Sequence, residues 1–109
     1  MTQLDNPPYY AVIFTSQRTN NDRQGYLAAA ERMEDLAREQ AGFLGIESVR
    51  DVDGFGITVS YWTDLAAIDA WKNQVDHLGV QRLGRKEWYE SYPLQIARVE
   101  RAVEFPPSR

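Results

Sequence analysis

The stretch 56–85 constrains the fold most strongly, because its hydrophobic pattern changes period at a single point. Residues 57–61 alternate apolar with polar side chains, which predicts a strand with one buried face. Beyond Thr63, apolar residues recur every three or four positions, which is the spacing of one helix face: Leu65, Ile68, Trp71, Val75 and Leu78. Thr63 is the predicted N-cap of this helix. The helix also carries His77, the only histidine of the chain, so this stretch holds the best-supported part of any reactive or binding site.

The length and composition predict one folded domain. The chain has 109 residues, of which 43% are hydrophobic and 26% are charged, and this is the composition of a protein with a core rather than of a disordered chain. Residues 1–8 are expected to form a disordered lead, residues 9–105 the single domain, and residues 106–109 a C-terminal tail. The sequence contains no internal repeat and no low-complexity linker.

The charge and the residue content argue against several classes of function. A formal charge of −4 with scattered basic residues disfavours nucleic-acid binding. The chain lacks an apolar run of about 20 residues and a secretory pattern, so no membrane partner is expected and the expected location is cytoplasmic. With no cysteine and one histidine, neither a disulfide nor a multi-histidine metal site can form within one subunit. No phosphate loop or nucleophile elbow is present.

The predicted elements follow the order β-α-β-β-α-β. The strands are expected at residues 9–15, 43–51, 56–62 and 88–105, the last one kinked at Pro93, and the helices at residues 23–40 and from Thr63 to near Arg85. Gly42 is predicted to end the first helix in the left-handed conformation, and Asp53-Gly54 to form a hairpin turn. This order is that of the ferredoxin-like α+β fold, a four-stranded antiparallel sheet with both helices on one face.

The sheet face without helices is expected to need a partner. Two helices cover only one face of the sheet, and the other face still carries apolar groups from the first and third strands. A second copy of the chain is the simplest cover, because a two-fold interface is self-complementary. We therefore expect a homodimer, in which the long final strand reaches over the neighbouring subunit.

Taken in order, the segments of the chain resemble one known family. YYAVIFTS in the first strand is followed by GFLGIESVRD after the first helix, then by GITVSYW leading into a helix with Ala67, Ile68 and Trp71, then by His77, Gly84-Arg85, WYESY and the closing IARVERAVEF. From about Tyr9 to Phe105 this set resembles the antibiotic biosynthesis monooxygenase (ABM) domain of the dimeric α+β barrel proteins. The resemblance implies a dimer whose sheets pack into a barrel, with a pocket between sheet and helices in each subunit.

The resemblance implies two kinds of chemistry. Some members are oxygenases that oxidise polycyclic aromatic phenols without a metal or flavin, whereas another branch binds and degrades haem. That branch uses a tryptophan and an iron-binding histidine on the second helix and an asparagine on the first strand. Trp71 matches the tryptophan, but His77 falls about one turn too early and Gln81 occupies the expected place. Thr15 and Ser16 stand where the asparagine would be, and they are candidate substrate-binding residues.

His77 is the candidate catalytic residue, acting as a base. An imidazole has an ordinary pKa of about 6.5, so it can take a proton from a phenol-like substrate at neutral pH. The resulting electron-rich anion can pass an electron directly to O₂. Trp71 is the candidate wall that stacks a flat substrate, and the Tyr61 hydroxyl can hydrogen-bond a substrate oxygen. Other roles stay open: a surface histidine for His77, and core packing for Trp71 and Tyr61.

Three functions follow from the sequence. The leading one is oxygenation of a small aromatic or quinol-like molecule without a cofactor. The second is haem binding or degradation through His77, in which haem would be the cofactor. The third is non-catalytic binding of a small ligand by a stress-related dimeric protein of the same fold.

Overall fold

A computed structural model describes residues 6–77, 88–91 and 93–106 of the chain. These residues form, in chain order, β1 (Tyr9–Arg18), α1 (Arg23–Glu39), β2 (Phe43–Arg50), β3 (Phe55–Trp62), α2 (Leu65–His77), β4 (Tyr89–Ser91) and β5 (Leu94–Val99). The strands form one antiparallel sheet, and α1 and α2 pack on the same face of it and against each other. The predicted ferredoxin-like α+β fold is confirmed.

The sheet is arranged around β1. The strand order is β2-β3-β1, and β4 and β5 both pair with the remaining edge of β1. β1 pairs with β3 from Tyr10 opposite Trp62 to Gln17 opposite Phe55. β5 covers the first part of β1 and β4 its last two residues, so together they occupy one strand position. The four predicted strand positions are therefore present, with the fourth divided in two.

The fourth strand position is shorter than the predicted strand 88–105, and that part of the prediction is wrong. The break between β4 and β5 falls at the predicted kink, Pro93, whose nitrogen has no hydrogen to donate to the ladder. β5 ends at Val99, because Val99 already pairs with Tyr9, the first residue of β1. The described residues beyond it, 100–106, are exposed and form no strand.

The predicted N-cap of α2 is also wrong by one residue. The Asp64 carboxylate accepts a hydrogen bond of 2.8 Å from the Ala67 backbone N–H, so Asp64 caps the helix. The Thr63 hydroxyl instead donates to the Asp64 carboxylate at 3.5 Å, and the Thr63 backbone N–H donates to the Gly42 carbonyl at 2.8 Å.

Two glycines hold the turns that the sequence predicts. Gly42 follows α1 with φ of +89°, and Gly54 lies in the β2–β3 hairpin with φ of +93°. Both values lie in the region that a side chain disfavours, so both predictions are confirmed. At Gly42 a Cβ atom would also lie 2.7 Å from the Ala67 Cβ, so the absence of a side chain lets the first turn of α2 pack close to the end of α1.

The core lies between the sheet and the two helices, in two neighbouring clusters. The first contains Val12, Ala37, Trp62, Ala67 and Ile68, and the second contains Val75 and Trp88. Trp71 of α2 packs against both clusters and so connects them. The bend or break predicted between His77 and Arg85 lies outside the described residues. Neither of the two described helices has the length and apolar character that crossing a membrane requires.

Candidate functional site

The face of the sheet under α1 and α2, here called the helix side, carries buried polar groups among its apolar ones. Paired residues of an antiparallel sheet share a face, so the register places Val12 and Ser16 of β1 on the helix side together with Ser60 and Trp62 of β3. All four are at most 3% exposed. Two serines in such a layer must be hydrogen-bonded to be stable there, and their partners outline the site.

Two tryptophans stack at one end of the helix side. The Trp62 and Trp71 rings are 5.1 Å apart between centroids and inclined by 29°. The Trp62 Nε1–H donates to the Ser60 hydroxyl at 2.9 Å, and the Trp71 Nε1–H donates to the Met33 carbonyl of α1 at 3.3 Å. Trp71 therefore joins α2 to α1 and to the sheet at once, which fixes its ring in place.

A pair of arginines and one tyrosine occupy the other end of the helix side. The Arg50 guanidinium of β2 donates to the Ser16 hydroxyl at 2.7 Å and to the Ser16 and Gly54 carbonyls. The guanidinium carbon of Arg18 lies 4.5 Å from the centre of the Tyr26 ring, and that of Arg50 lies 5.5 Å from it. We call Ser16, Arg18, Tyr26 and Arg50 the arginine–tyrosine cluster. It places two positive charges near one aromatic ring in a chain whose net charge is −4.

Trp88 closes this end of the helix side. Its side chain is 2% exposed, and its ring meets the Tyr26 ring edge-on with centroids 6.0 Å apart. Its backbone carbonyl accepts from the Thr19 N–H at 2.6 Å, which ties it to the chain just after β1. Aromatic groups thus run from Trp88 through the shared packing with Trp71 to Trp62.

The predicted site residues fall on two opposite faces of the sheet. Trp71 and Ser16 both lie on the helix side. Tyr61 and Thr15 alternate with the helix-side residues, so they lie on the other face, here called the open side. His77 is the last residue of α2, and its side chain lies outside the described part of the chain, as does Gln81. The structure does not bring Tyr61 and Thr15 together with Trp71.

Tyr61 has its own partners on the open side. Its ring meets the Tyr9 ring edge-on, with centroids 6.1 Å apart. Burial raises the pKa of the Tyr61 phenol, and the charge of Glu47, the hydrogen bond to Glu47 and the neighbouring Tyr9 raise it further. The phenol is therefore protonated at neutral pH and acts as a hydrogen-bond donor to Glu47.

A groove of about 260 Å³ lies at the hairpin end of β2 and β3. It is lined by Val49, Arg50, Asp51, Phe55, Gly56 and Ile57. The Arg50 guanidinium lies flat against Gly56, where a Cβ atom would approach the guanidinium carbon to 2.7 Å. The missing side chain at residue 56 thus gives Arg50 the room to reach Ser16. Among the described residues, no three histidine, cysteine, aspartate or glutamate side chains come together as a metal site would need.

Of the arginine–tyrosine cluster, sequence reasoning singled out Ser16 but not Arg18, Tyr26 or Arg50. The strand alternation carried a signal, since Arg18 continues the series of Val12 and Ser16 at steps of two. Arg50 likewise continues the series of Ile46 and Ser48. A charged residue in the inward series of a strand is a candidate site residue. Strand alternation cannot predict that both arginines contact Tyr26, because Tyr26 lies in α1.

Residues 9–83 match the family model named antibiotic biosynthesis monooxygenase, which covers more than half of the chain, and this chain belongs to that family. One relative is the uncharacterized protein YqjZ of Bacillus subtilis (strain 168). It is 50% identical over 101 residues, which are 93% of this chain and 88% of the relative.

Solved structures share the fold at low identity. One is SnoaB of Streptomyces nogalater, a cofactor-independent oxygenase, with a TM-score of 0.69, 14% identity, and coverage of 92% of this chain and 99% of that one. Another is PA3566 of Pseudomonas aeruginosa, with a TM-score of 0.69, 16% identity, and coverage of 91% and 99%. At these identities the likeness establishes the architecture, and the predicted family and fold are confirmed together.

Proposed function

We propose that this protein is a monooxygenase that acts on a small, flat aromatic or quinol-like molecule without a bound cofactor. The observation that carries the proposal is the aromatic layer between sheet and helices, in which Trp71 and Trp88 contact one apolar cluster and Tyr26 joins them to two arginines. Flat rings bind well against such side chains. Family membership and the shared architecture with a cofactor-independent oxygenase support the reaction class.

The proposed reaction requires few functional groups from the protein. A base removes a proton from the substrate, and the electron-rich anion passes an electron to O₂. The oxygen and the substrate radical then combine. For a carbon that carries two hydrogens, one oxygen atom becomes a carbonyl oxygen, and the other leaves as water with both hydrogens. His77 is the proposed base, since it ends α2 and is the only imidazole of the chain. Trp71 is the proposed wall of the substrate pocket, and its fixed ring suits that role.

Oxygen uptake tests the reaction. We expect purified protein, treated with chelator and free of flavin absorbance, to consume one O₂ per substrate from a panel of quinols and polycyclic phenols. His77→Ala should lower the rate at least tenfold, as loss of a general base does. Val52→Ala is the matched control, because Val52 is fully exposed in the hairpin turn. No uptake across the panel, or equal rates for His77→Ala and the parent protein, would refute the proposal.

A haemin titration tests the other oxidative function of the family. If one haem per subunit binds saturably and its Soret band decays with reductant in air, the protein is a haem-degrading enzyme. A non-catalytic binding protein would bind aromatic ligands and take up no oxygen with any of them.

We also propose that the working form is a homodimer that covers the open side. That side exposes Val49 at 73%, Phe55 at 46% and Ile57 at 38%, all close together at the hairpin end of β2 and β3. Removing these side chains from water stabilises an association by about 25 cal/mol per Å² of apolar surface. Ile57→Asp should yield a monomer by light scattering at low micromolar concentration, whereas Val52→Asp should leave the size of the parent protein unchanged. A monomeric parent protein would rule the dimer out.

A further inference from the structure

Three buried side-chain atoms in the described part of the chain have no hydrogen-bond partner, and all three are donors. They are Nε and Nη2 of Arg18 and Nε1 of Trp88. A buried donor without an acceptor is destabilising, and more so when it carries charge, so such atoms are rare in a folded protein. Because the unpaired atoms are all donors, a group that pairs with them has to be an acceptor.

The two Arg18 atoms lie on one edge of the guanidinium. The Nε–H and one N–H of Nη2 point in the same direction, and this fork is the one that takes both oxygens of a carboxylate. The remaining nitrogen, Nη1, is not among the unpaired atoms. The unpaired donors of Arg18 are therefore the two that together bind a carboxylate in the bidentate geometry.

Trp88 and Arg18 face the same neighbour. The Arg18 guanidinium carbon is 4.5 Å from the Tyr26 ring centre, and the Trp88 ring centroid is 6.0 Å from it. The two sets of unpaired donors thus belong to residues that pack on one ring. The two residues are also close along the backbone, since the N–H of Thr19, next to Arg18, donates to the Trp88 carbonyl at 2.6 Å.

The charges around Tyr26 favour the same conclusion. The guanidinium carbon of Arg50 lies 5.5 Å from the same ring centre, so both guanidinium groups lie near one ring. The ion pairs of Arg38 with Glu34 and Asp35, and of Arg98 with Glu100, lie on exposed side chains. None of them involves Arg18. The positive charge of Arg50 near the same ring adds to that of Arg18, which favours an anion there.

We propose that Arg18 and Trp88 form an anion subsite that holds the carboxylate of an aromatic acid. The Arg18 fork takes the two carboxylate oxygens, and Trp88 Nε1–H donates to one of them. The ring of the acid then lies toward the apolar neighbours of Trp88, namely Met33, Val75 and Trp71. The inference deepens the proposed function, on which its relevance to catalysis rests, by naming the substrate class as aromatic carboxylates; binding itself does not depend on that reaction.

Benzoate is the probe, and benzamide is its neutral counterpart of the same shape. Titration followed by calorimetry and tryptophan fluorescence should give one benzoate per subunit, and benzamide should bind at least tenfold more weakly because a charged acceptor bonds the fork more strongly. Arg18→Gln should weaken benzoate binding about tenfold or more and leave benzamide binding unchanged. Arg38→Gln is the matched control, since it removes the same charge from an exposed arginine of α1.

Trp88→Phe provides a second variant in case Arg18→Gln does not fold. It keeps the ring beside Tyr26 and removes only the N–H, so it should weaken benzoate binding several-fold with an unchanged circular dichroism spectrum. Benzoate that fails to bind, or binds equally well to the parent protein, Arg18→Gln and Trp88→Phe, would overturn the subsite. So would benzamide binding as tightly as benzoate.

The subsite and the oxygenase function can fail separately. Arg18-dependent binding of benzoate by a protein that consumes no oxygen with any substrate would leave the subsite standing and refute the oxygenase. Oxygen uptake that is the same for the parent protein and Arg18→Gln on aromatic acids, with benzoate affinity also unchanged, would do the reverse.

Discussion

The two faces of the sheet differ in which side chains they bury and which they expose. The part of the helix side that α1 and α2 cover is buried, yet it contains Ser16 and Ser60 and borders two partly buried arginines. The open side is exposed at its hairpin end, yet it carries Val49, Phe55 and Ile57 there. Unpaired donors on one face and exposed apolar side chains on the other are the features behind the proposed anion subsite and the proposed dimer.

The two faces are also closed by different means. On the helix side, Trp71 is held by its hydrogen bond to Met33 and its stacking on Trp62, so the chain itself completes the packing. On the open side, Tyr9 and Tyr61 pack on each other near the start of β1, and the exposed patch begins toward the hairpin. Substitutions on the helix side should therefore affect folding, and those in the exposed patch should affect association.

The largest effect is expected from Trp62→Ala. Trp62 is 0% exposed, stacks on Trp71 and meets Phe43 edge-on with centroids 5.4 Å apart. Its removal leaves a cavity in the core and the Ser60 hydroxyl without its donor, so the free energy of unfolding should fall by about 3–5 kcal/mol. Urea denaturation followed by circular dichroism measures this loss.

The open-side counterpart is Val49→Ala. Val49 is 73% exposed, so in the dissociated subunit the same measurement should change by no more than about 0.5 kcal/mol. If Val49→Ala destabilised the subunit as much as Trp62→Ala, the distinction between the two faces would not hold.

An effect smaller than that of Trp62→Ala is expected from Gly56→Ala, at the hairpin end of the sheet. A Cβ atom there would lie 2.7 Å from the Arg50 guanidinium carbon, which would have to leave Ser16. We expect a loss of about 1–3 kcal/mol in the free energy of unfolding, as for other overpacked sites.

A double-mutant cycle identifies the cause of that loss. In an Arg50→Ala background the Gly56→Ala change should cost almost nothing, because the atom that it strikes is gone. An equal cost in both backgrounds would mean that residue 56 is a glycine for a reason other than Arg50.

The smallest effect is expected from Tyr61→Phe, and it depends on pH. Burial and Glu47 raise the pKa of the Tyr61 phenol above its ordinary value of 10.0. The folded state therefore holds this proton more tightly than the unfolded state, and the stability that it gives is complete below pH 10.0 and lost as the pH rises through the folded pKa. Tyr61→Phe should fall less steeply in stability above pH 10.0. Parallel profiles for the two proteins in urea melts at several alkaline pH values would contradict this.

Much of the fold could be read from the sequence, because local rules decide it. The change from period two to period 3.6 near Trp62 marks the end of β3 and the approach of α2, as the structure has it. Gly42 and Gly54 mark turns because their backbone conformations exclude other residues. The errors have separate causes: the neighbouring Asp64 takes the capping role from Thr63, and the first residue of β1, a distant partner, ends β5 at Val99.

The candidate site was less accessible to sequence reasoning. Trp71 was found because its place on a helix face is a local property, and its hydrogen bond to Met33 was not, because that bond spans two helices. Tyr61 and Trp71 lie close in sequence, but the strand alternation turns Tyr61 to the open side. The roles of His77, Trp71, Tyr61, Thr15 and Ser16 in binding or catalysis stay predictions.

The sequence by itself determined the family and the order of elements, because these depend on the identity and spacing of neighbouring residues. Only the tertiary structure decided that Arg18, Arg50 and Trp88 meet around Tyr26, with donors left unpaired. That meeting joins β1, β2, α1 and the segment before β4, four parts of the chain brought together by the burial of apolar surface. Periodicity predicts the direction of a side chain but not the groups that it contacts, and those contacts define the candidate site.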